Sequence, residues 1–371
     1  MLTLIRDGEL HTPAPAGVQP VLLVGDRIAH VGPVDEARLT SLEIPCEVVD
    51  ARGCLVVPGL VDPHEHLIGA GGEKGFASRM HEVTLEQLLL AGITTVVGCL
   101  GTDSATRHLG ALVGKARQLT EGGVSAFLYT GGFHLPPRTL TGSVMDDLVL
   151  IDCILGVGEL AIADARSSQA STAELARVVA EAMVGGTLSG KAGVTHFHTG
   201  PGRARMSQLH ELLDTYEVRP ESLYATHANR TDELLDDAIA LSRRGAYVDM
   251  DTVDPGLGRW LRYYLEHGGV PERLTVSSDA HTAGAEPARL HQELVASVRE
   301  HGLALDTVLP FFTANPAAAL KLRQKGRLAP GMDADLLLLD SRTLDVVHVF
   351  SRGKRRVGSG KLFVPPEGRG T

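Results

Sequence analysis

Between residues 58 and 320, short apolar runs alternate with amphipathic stretches, and this alternation constrains the fold more tightly than any other feature of the chain. A strand that must lie parallel to the previous one cannot return by a hairpin and needs a crossover, normally a helix. The runs GLVDPH, TTVVGCL, SAFLYTG, GVGELAIAD, GVTHFHTG, SLYATHA, GAYVDMD and LTVSSDA read as strands. Segments between them, such as TLEQLLLAG, ATRHLGALVGKARQLTEGG, TAELARVVAEAMVGG, MSQLHELLDTYE, DELLDDAIALSRRG and LHQELVASVREHG, carry apolar residues at helical spacing, often ahead of a glycine. Eight strand–helix units predict an α/β fold, a (β/α)8 TIM barrel over residues 58–320.

The flanks have a different period. LTLIR, PVLLVGDRIAHVG and EVVDARGCLVVPG, with Gly25 and Asp26 as a hairpin signal, are β-like. GRLAPGMDADLLLLD and DVVHVFSRGKRRVGSGKLFV repeat that texture near the other end. The expectation is one small β-sandwich-like domain made from residues 1–57 and 321–371.

Composition excludes several classes. A chain of 371 residues with 43% hydrophobic content can bury a large core. Its formal charge of −10, with Lys and Arg scattered among acids, leaves no basic patch for nucleic acid. The N-terminal stretch MLTLIRDGELHTPAPAG lacks the pattern of a signal peptide, and no apolar run reaches the length of a membrane span, so the expected location is cytoplasmic. Cys46, Cys54, Cys99 and Cys153 form no C-x-x-C pair and read as reduced, mostly buried residues. The glycines of IGAGGEKG do not make a dinucleotide fingerprint.

In a barrel the C-terminal ends of all strands meet at one face. Here those ends carry His64 and His66 on the first strand, Glu159 on the fourth with Asp164 and Arg166 beyond it, His196 and His198 on the fifth, His227 on the sixth and Asp279 on the eighth. Residues two apart in a strand share a side, so each H-x-H presents two imidazoles together. Neutral imidazoles and carboxylates suit zinc and related divalent ions.

These positions resemble the amidohydrolase superfamily, whose signature is an H-x-H on the first barrel strand, a bridging lysine or glutamate on the fourth, histidines on the fifth and sixth, and an aspartate on the eighth. LAPGMDADLLLLD and the shared terminal domain are also similar to that superfamily. Within it, PGLVDPHEHLIGAGGE, VVGCLGTDSATRHLGAL, TLTGSVMDDLVLID, IADARS and THANR resemble isoaspartyl dipeptidases. The resemblance implies two zinc ions per subunit held by His64, His66, Glu159, His198, His227 and Asp279, with Asp279 also the general base. It implies Glu73, Thr102, Phe133, Arg166 and Arg230 against the substrate, a small molecule or dipeptide, and a homo-oligomer. His196, one step before a ligand, would serve packing or support the ligands from behind. The alternatives are hydrolysis of another C–N bond, in a cyclic amide or an N-acyl amino acid, or a non-catalytic homologue that binds a metal or small molecule.

Three positions depart from the family pattern. Glu159 stands where isoaspartyl dipeptidases carry a carbamylated lysine, after a one-residue difference in spacing, and a carboxylate bridge would need no carbon dioxide. Phe133 stands where the family has a tyrosine facing the scissile carbonyl, leaving His134 or a metal to substitute. Ala283 replaces a serine that helps hold the substrate α-carboxylate, a contact His281 or Thr282 could supply.

Overall fold

A computed structural model of the chain describes residues 2–41, 43–281 and 286–363. Eight parallel strands form its centre: β1 (Leu60–Glu65), β2 (Ile93–Gly98), β3 (Ser125–Thr130), β4 (Ile154–Ile162), β5 (Val194–Thr199), β6 (Leu223–Thr226), β7 (Tyr247–Asp251) and β8 (Leu274–Ser277), each hydrogen-bonded to the next in chain order. A helix follows every strand: α1 (Leu85–Leu90), α2 (Leu109–Gly122), α3 (Val144–Leu150), α4 (Thr172–Ser189), α5 (Ser207–Thr215), α6 (Asp232–Arg243), α7 (Leu257–Glu266) and α8 (Ala288–Arg299). All eight strand expectations correspond to barrel strands. No helix among the described residues is long and apolar enough to cross a membrane.

Helix starts are chemically marked. Thr84 and Ser171 accept from the third backbone N–H of α1 and α4, while Gln87 and Glu174 reach back to the caps, completing a capping box at each. Gly123 and Gly190 end α2 and α4 in left-handed conformation, which an L side chain adopts only at a cost.

Between β8 and β1 the barrel closes through side chains and loop backbone. The Asp279 N–H donates to the His64 carbonyl at 3.1 Å, the Ser278 N–H donates to Asp62 Oδ1 at 3.1 Å, and the Ser278 hydroxyl donates to Glu65 Oε2 at 2.6 Å. This seam joins the strand ends that carry the H-x-H and Asp279.

The terminal segments build two further sheets. Arg27–Val31, Val21–Val24, Leu2–Arg6 and Cys46–Asp50 form one. In the other, Cys54–Pro58 from the first segment pairs antiparallel with Leu336–Asp340 from the last. Gly25 and Asp26 lie between two paired strands, Val21–Val24 and Arg27–Val31, as a hairpin turn. The run LLLL at 336–339 is apolar throughout because both of its faces are buried: Leu336 and Leu338 pack with Val56, Ile5 and Phe350 in the small domain, and Leu337 and Leu339 pack with the barrel core. The four cysteines are free, as expected, but only Cys99 is buried; the others are partly exposed.

Candidate metal centre

Glu159 lies at the middle of the barrel mouth. The β4–β5 pairing shifts register between Val157 and Leu160, so β4 bulges at Gly158 and Glu159. Gly158 has φ 147°, and a Cβ there would stand 2.5 Å from the His196 carbonyl oxygen. Only glycine fits, and the bulge leaves Glu159 buried among the strand-end histidines.

Each Glu159 oxygen faces a different group. Oε2 lies 3.5 Å from His64 Nε2 and 3.9 Å from His66 Nε2. Asp279 Oδ1 completes that side, 3.5 Å from His64 Nε2 and 3.3 Å from His66 Nε2. Oε1 lies 2.8 Å from His198 Nδ1 and 3.0 Å from His227 Nε2. Two pairs of imidazoles thus share one carboxylate, an oxygen to each pair. Both ring nitrogens of His64 are buried without a hydrogen-bond partner among the described residues, and buried polar atoms are rarely left so. This donor set fits borderline divalent cations, for which imidazole and carboxylate are the expected ligands.

Burial alone would raise the Glu159 carboxyl, but His64 and His198, with hydrogen bonds from His198 and His227, hold it well below the usual carboxylate range. Asp279 behaves likewise: burial opposes ionisation, and His281, His64 and His66 outweigh it. Both carboxylates are therefore anionic in a buried site, as cation binding requires. His227 and Asp279 have φ of 68° and 44°, left-handed backbone outside glycine. Such conformations cost about 1–3 kcal/mol each and persist where surrounding structure imposes them, often at functional sites.

Three of the four histidines have a partner on the ring nitrogen turned away from Glu159 or Asp279. His227 Nδ1 lies 2.7 Å from Asp251 Oδ2, and His198 Nε2 lies 3.0 Å from Asp164 Oδ2. His66 Nδ1 lies 3.6 Å from Cys99 Sγ. Partners of this kind fix tautomer and ring orientation in metal sites. Asp251 escapes the sequence reading, and Cys99 enters it only as a buried thiol. The signal for Asp251 is the D-x-D of YVDMD, which puts two carboxylates at the end of β7 with the same spacing as the H-x-H of β1.

Above the centre is a cavity bordered by Glu73, Thr102, Phe133, Arg166, Arg230 and His281, with His66, Glu159, His198, His227 and Asp279 at its floor. All five residues expected against substrate therefore reach one space. Arg230 Nη2 lies 3.0 Å from His227 Nδ1 and 3.4 Å from Asp279 Oδ2. Arg166 is bound by Asp164, lies 5.2 Å over the Phe133 ring and has Nη1 3.9 Å from Glu73 Oε1. Phe133 packs on His198 at 4.7 Å between ring centroids. His134 is committed elsewhere, its Nε2 2.9 Å from the Arg166 carbonyl oxygen. His281 Nδ1 is 3.1 Å from Asp279 Oδ1; Thr282 and Ala283 lie outside the described residues. His196 is buried below the floor, stacked on Tyr129 at 4.9 Å and edge-on to His64 at 4.7 Å. Asp103 accepts from the N–H groups of Ala105 and Thr106 in the loop before α2, whose N-terminal cap is His108, so it closes a turn rather than capping the helix.

A model of the amidohydrolase family matches residues 261–356. Beta-aspartyl dipeptidase from the thermophilic, keratin-degrading Fervidobacterium islandicum AW-1 superposes with a TM-score of 0.92 at 37% identity, covering 98% of this chain and 99% of that one. The same enzyme in complex with the beta-Asp-Leu dipeptide gives 0.92 at 36% identity. N-isopropylammelide isopropylaminohydrolase from Burkholderia multivorans, at TM-score 0.66 and 20% identity over 98% of this chain and 100% of that one, shares the fold. Among curated proteins, imidazolonepropionase of Anaeromyxobacter dehalogenans is 28% identical over 363 residues, 88% of this chain and 86% of that protein.

Proposed function

The chain belongs to the amidohydrolase family, hydrolases of C–N bonds, and within it we propose that it cleaves β-aspartyl dipeptides. The observation that carries this reading is the cavity: one carboxylate, Glu73, and two guanidinium groups, Arg166 and Arg230, surround the donor cluster. A β-aspartyl dipeptide presents an α-ammonium and two carboxylates around the amide to be cut. Guanidinium pairs with carboxylate through parallel N–H donors, and a glutamate accepts from an ammonium. The 37% identity to a beta-aspartyl dipeptidase over nearly its whole length supports the same substrate.

Two divalent cations, taken as zinc, held by His64, His66 and Asp279 on one side and His198 and His227 on the other with Glu159 between, would polarise the amide carbonyl and acidify the attacking water. Asp279, ionised and at the cavity floor, accepts a proton from that water and passes it to the amine nitrogen as the C–N bond breaks. Arg230, within 3.4 Å of Asp279, places a substrate carboxylate next to the scissile bond. Arg166 holds the second carboxylate farther out, steadied by Asp164 and the face of Phe133.

The relatives named imidazolonepropionase favour a second reading, hydrolysis of a cyclic amide. Turnover measured side by side on β-Asp-Leu, hydantoin, dihydroorotate and N-acyl amino acids decides between them. The first reading expects β-Asp-Leu to have the highest kcat/KM, and a preference for any of the others overturns it.

Phe133 provides no hydroxyl to the developing oxyanion. Since one such donor is typically worth about 10²–10³ in rate, Phe133→Tyr is expected to raise kcat on β-Asp-Leu by up to about 10² with KM little changed. Steady-state kinetics check it; an unchanged or lower kcat would show that this wall does not face the carbonyl.

A further inference from the structure

The substrate-facing Glu73 sits on a loop that leaves the barrel after His66 and returns before α1, and nothing in that loop is a regular element beyond a short turn at Phe76–Ser78. Its two legs pair through their own backbone, the Met80 N–H donating to the Ala70 carbonyl at 2.9 Å, and one side chain from elsewhere binds both. Arg107, in the loop between β2 and α2, donates from Nε to the Ile68 carbonyl at 3.2 Å, from Nη1 to Gly71 at 3.2 Å, and from Nη2 to Ala70 at 2.7 Å and Met80 at 3.3 Å. The first three carbonyls belong to the outgoing leg and the fourth to the returning one. Arg107 is 6% exposed, an unusual place for a guanidinium, and its nearest carboxylate, Asp103, is 3.6 Å away in its own loop. Thr102, which also borders the cavity, is in that loop as well.

We propose that Arg107 is a positioning residue for substrate recognition: it rivets the Glu73 loop to the Thr102 loop and so fixes the distance at which Glu73 meets the substrate α-ammonium. The planar fork explains the residue type, because five N–H donors in a rigid plane satisfy carbonyls on both legs at once, and a lysine reaches fewer. Arg107 touches neither the donor cluster nor the cavity, so its influence is on binding of the amine and not on the bond-breaking step. The inference rests on the β-aspartyl reading above.

The test compares β-Asp-Leu with N-succinyl-leucine, which is the same molecule without the α-amine. In Arg107→Ala, KM for β-Asp-Leu is expected to rise roughly tenfold to a hundredfold, as for loss of one charge-assisted contact, with kcat nearly constant and KM for N-succinyl-leucine unchanged. Arg107→Lys, which keeps the charge and is the milder change for folding, should give a smaller rise of the same selectivity. In a Glu73→Gln background the Arg107→Lys change should have no further effect on β-Asp-Leu. Equal KM changes on both substrates, a fall confined to kcat, or multiplicative effects of the two substitutions would overturn the proposal. Wild-type protein that hydrolyses both compounds with equal KM, or neither, would overturn the β-aspartyl reading and this inference with it; selectivity in the wild type that survives Arg107→Lys and Arg107→Ala overturns this inference alone.

Discussion

Replacing Asp279 by asparagine is expected to lower kcat/KM on β-Asp-Leu by about 10²–10⁴, the range lost when a general base is removed. Asparagine has the same outline and keeps one oxygen, so the seam that depends on the Asp279 backbone N–H and the His64 carbonyl stays intact. What goes is the anionic acceptor. Asp279 Oδ1 faces His64 and His66 at 3.5 and 3.3 Å, and Oδ2 faces Arg230 at 3.4 Å, so the carboxylate stands where a water over the donor cluster and a substrate carboxylate on Arg230 would meet. Steady-state kinetics should be paired with metal analysis of the variant. A large drop in kcat with most of the metal retained supports proton transfer by Asp279. A variant within tenfold of wild type in kcat/KM would remove Asp279 from the mechanism, and loss of metal in proportion to activity would reduce it to a ligand.

The parts of this molecule that could be read from sequence are those governed by local period. Each barrel strand is a short apolar run, because parallel strands covered by helices are buried on both faces. Six of the eight helices were named from their spacing; α3, with seven residues, and α7, which follows the Gly-rich stretch after β7, were not. The histidines became legible only through the fold, since His64 and His227 are far apart in the chain yet their rings lie 5.7 Å apart. Contacts that depend on where a loop lands left no trace in the local pattern. Arg107 reads as an ordinary charge ahead of a helix, and nothing nearby says that its four acceptors are the carbonyls of residues 68, 70, 71 and 80. Cys99 is similar: a small residue in an apolar run, whose sulfur meets His66 because the backbone there follows Glu65, with the Cys99 N–H donating to the Glu65 carbonyl. Gly101 gives the same lesson from the opposite direction, since a Cβ at that position would approach His66 Cε1 to 3.0 Å.

Glu159→Gln is expected to weaken divalent-metal affinity by more than about 100-fold, because even changes to partners outside the ligand set cost 10–100-fold. The substitution conserves shape and removes the single negative charge that four imidazoles share. A neutral amide presents one acceptor oxygen and one N–H₂ donor, so it can serve one histidine pair and must turn the wrong group toward the other. Without the Glu159 carboxylate between the two pairs, the two-sided arrangement has no common anionic bridge. The same geometry makes a second, independent statement: a carboxylate occupies the bridging place outright, so metal uptake and activity of the wild type should not respond to bicarbonate. Glu159→Lys should then create that dependence, with metal content and turnover rising as bicarbonate is added, if the bulge at Gly158 presents position 159 to both histidine pairs. Metal affinity measured by chelator competition, with and without bicarbonate, reads all three proteins. Unchanged affinity in Glu159→Gln, or wild-type activity that climbs with bicarbonate, would mean that the bridge between the histidine pairs is some other group.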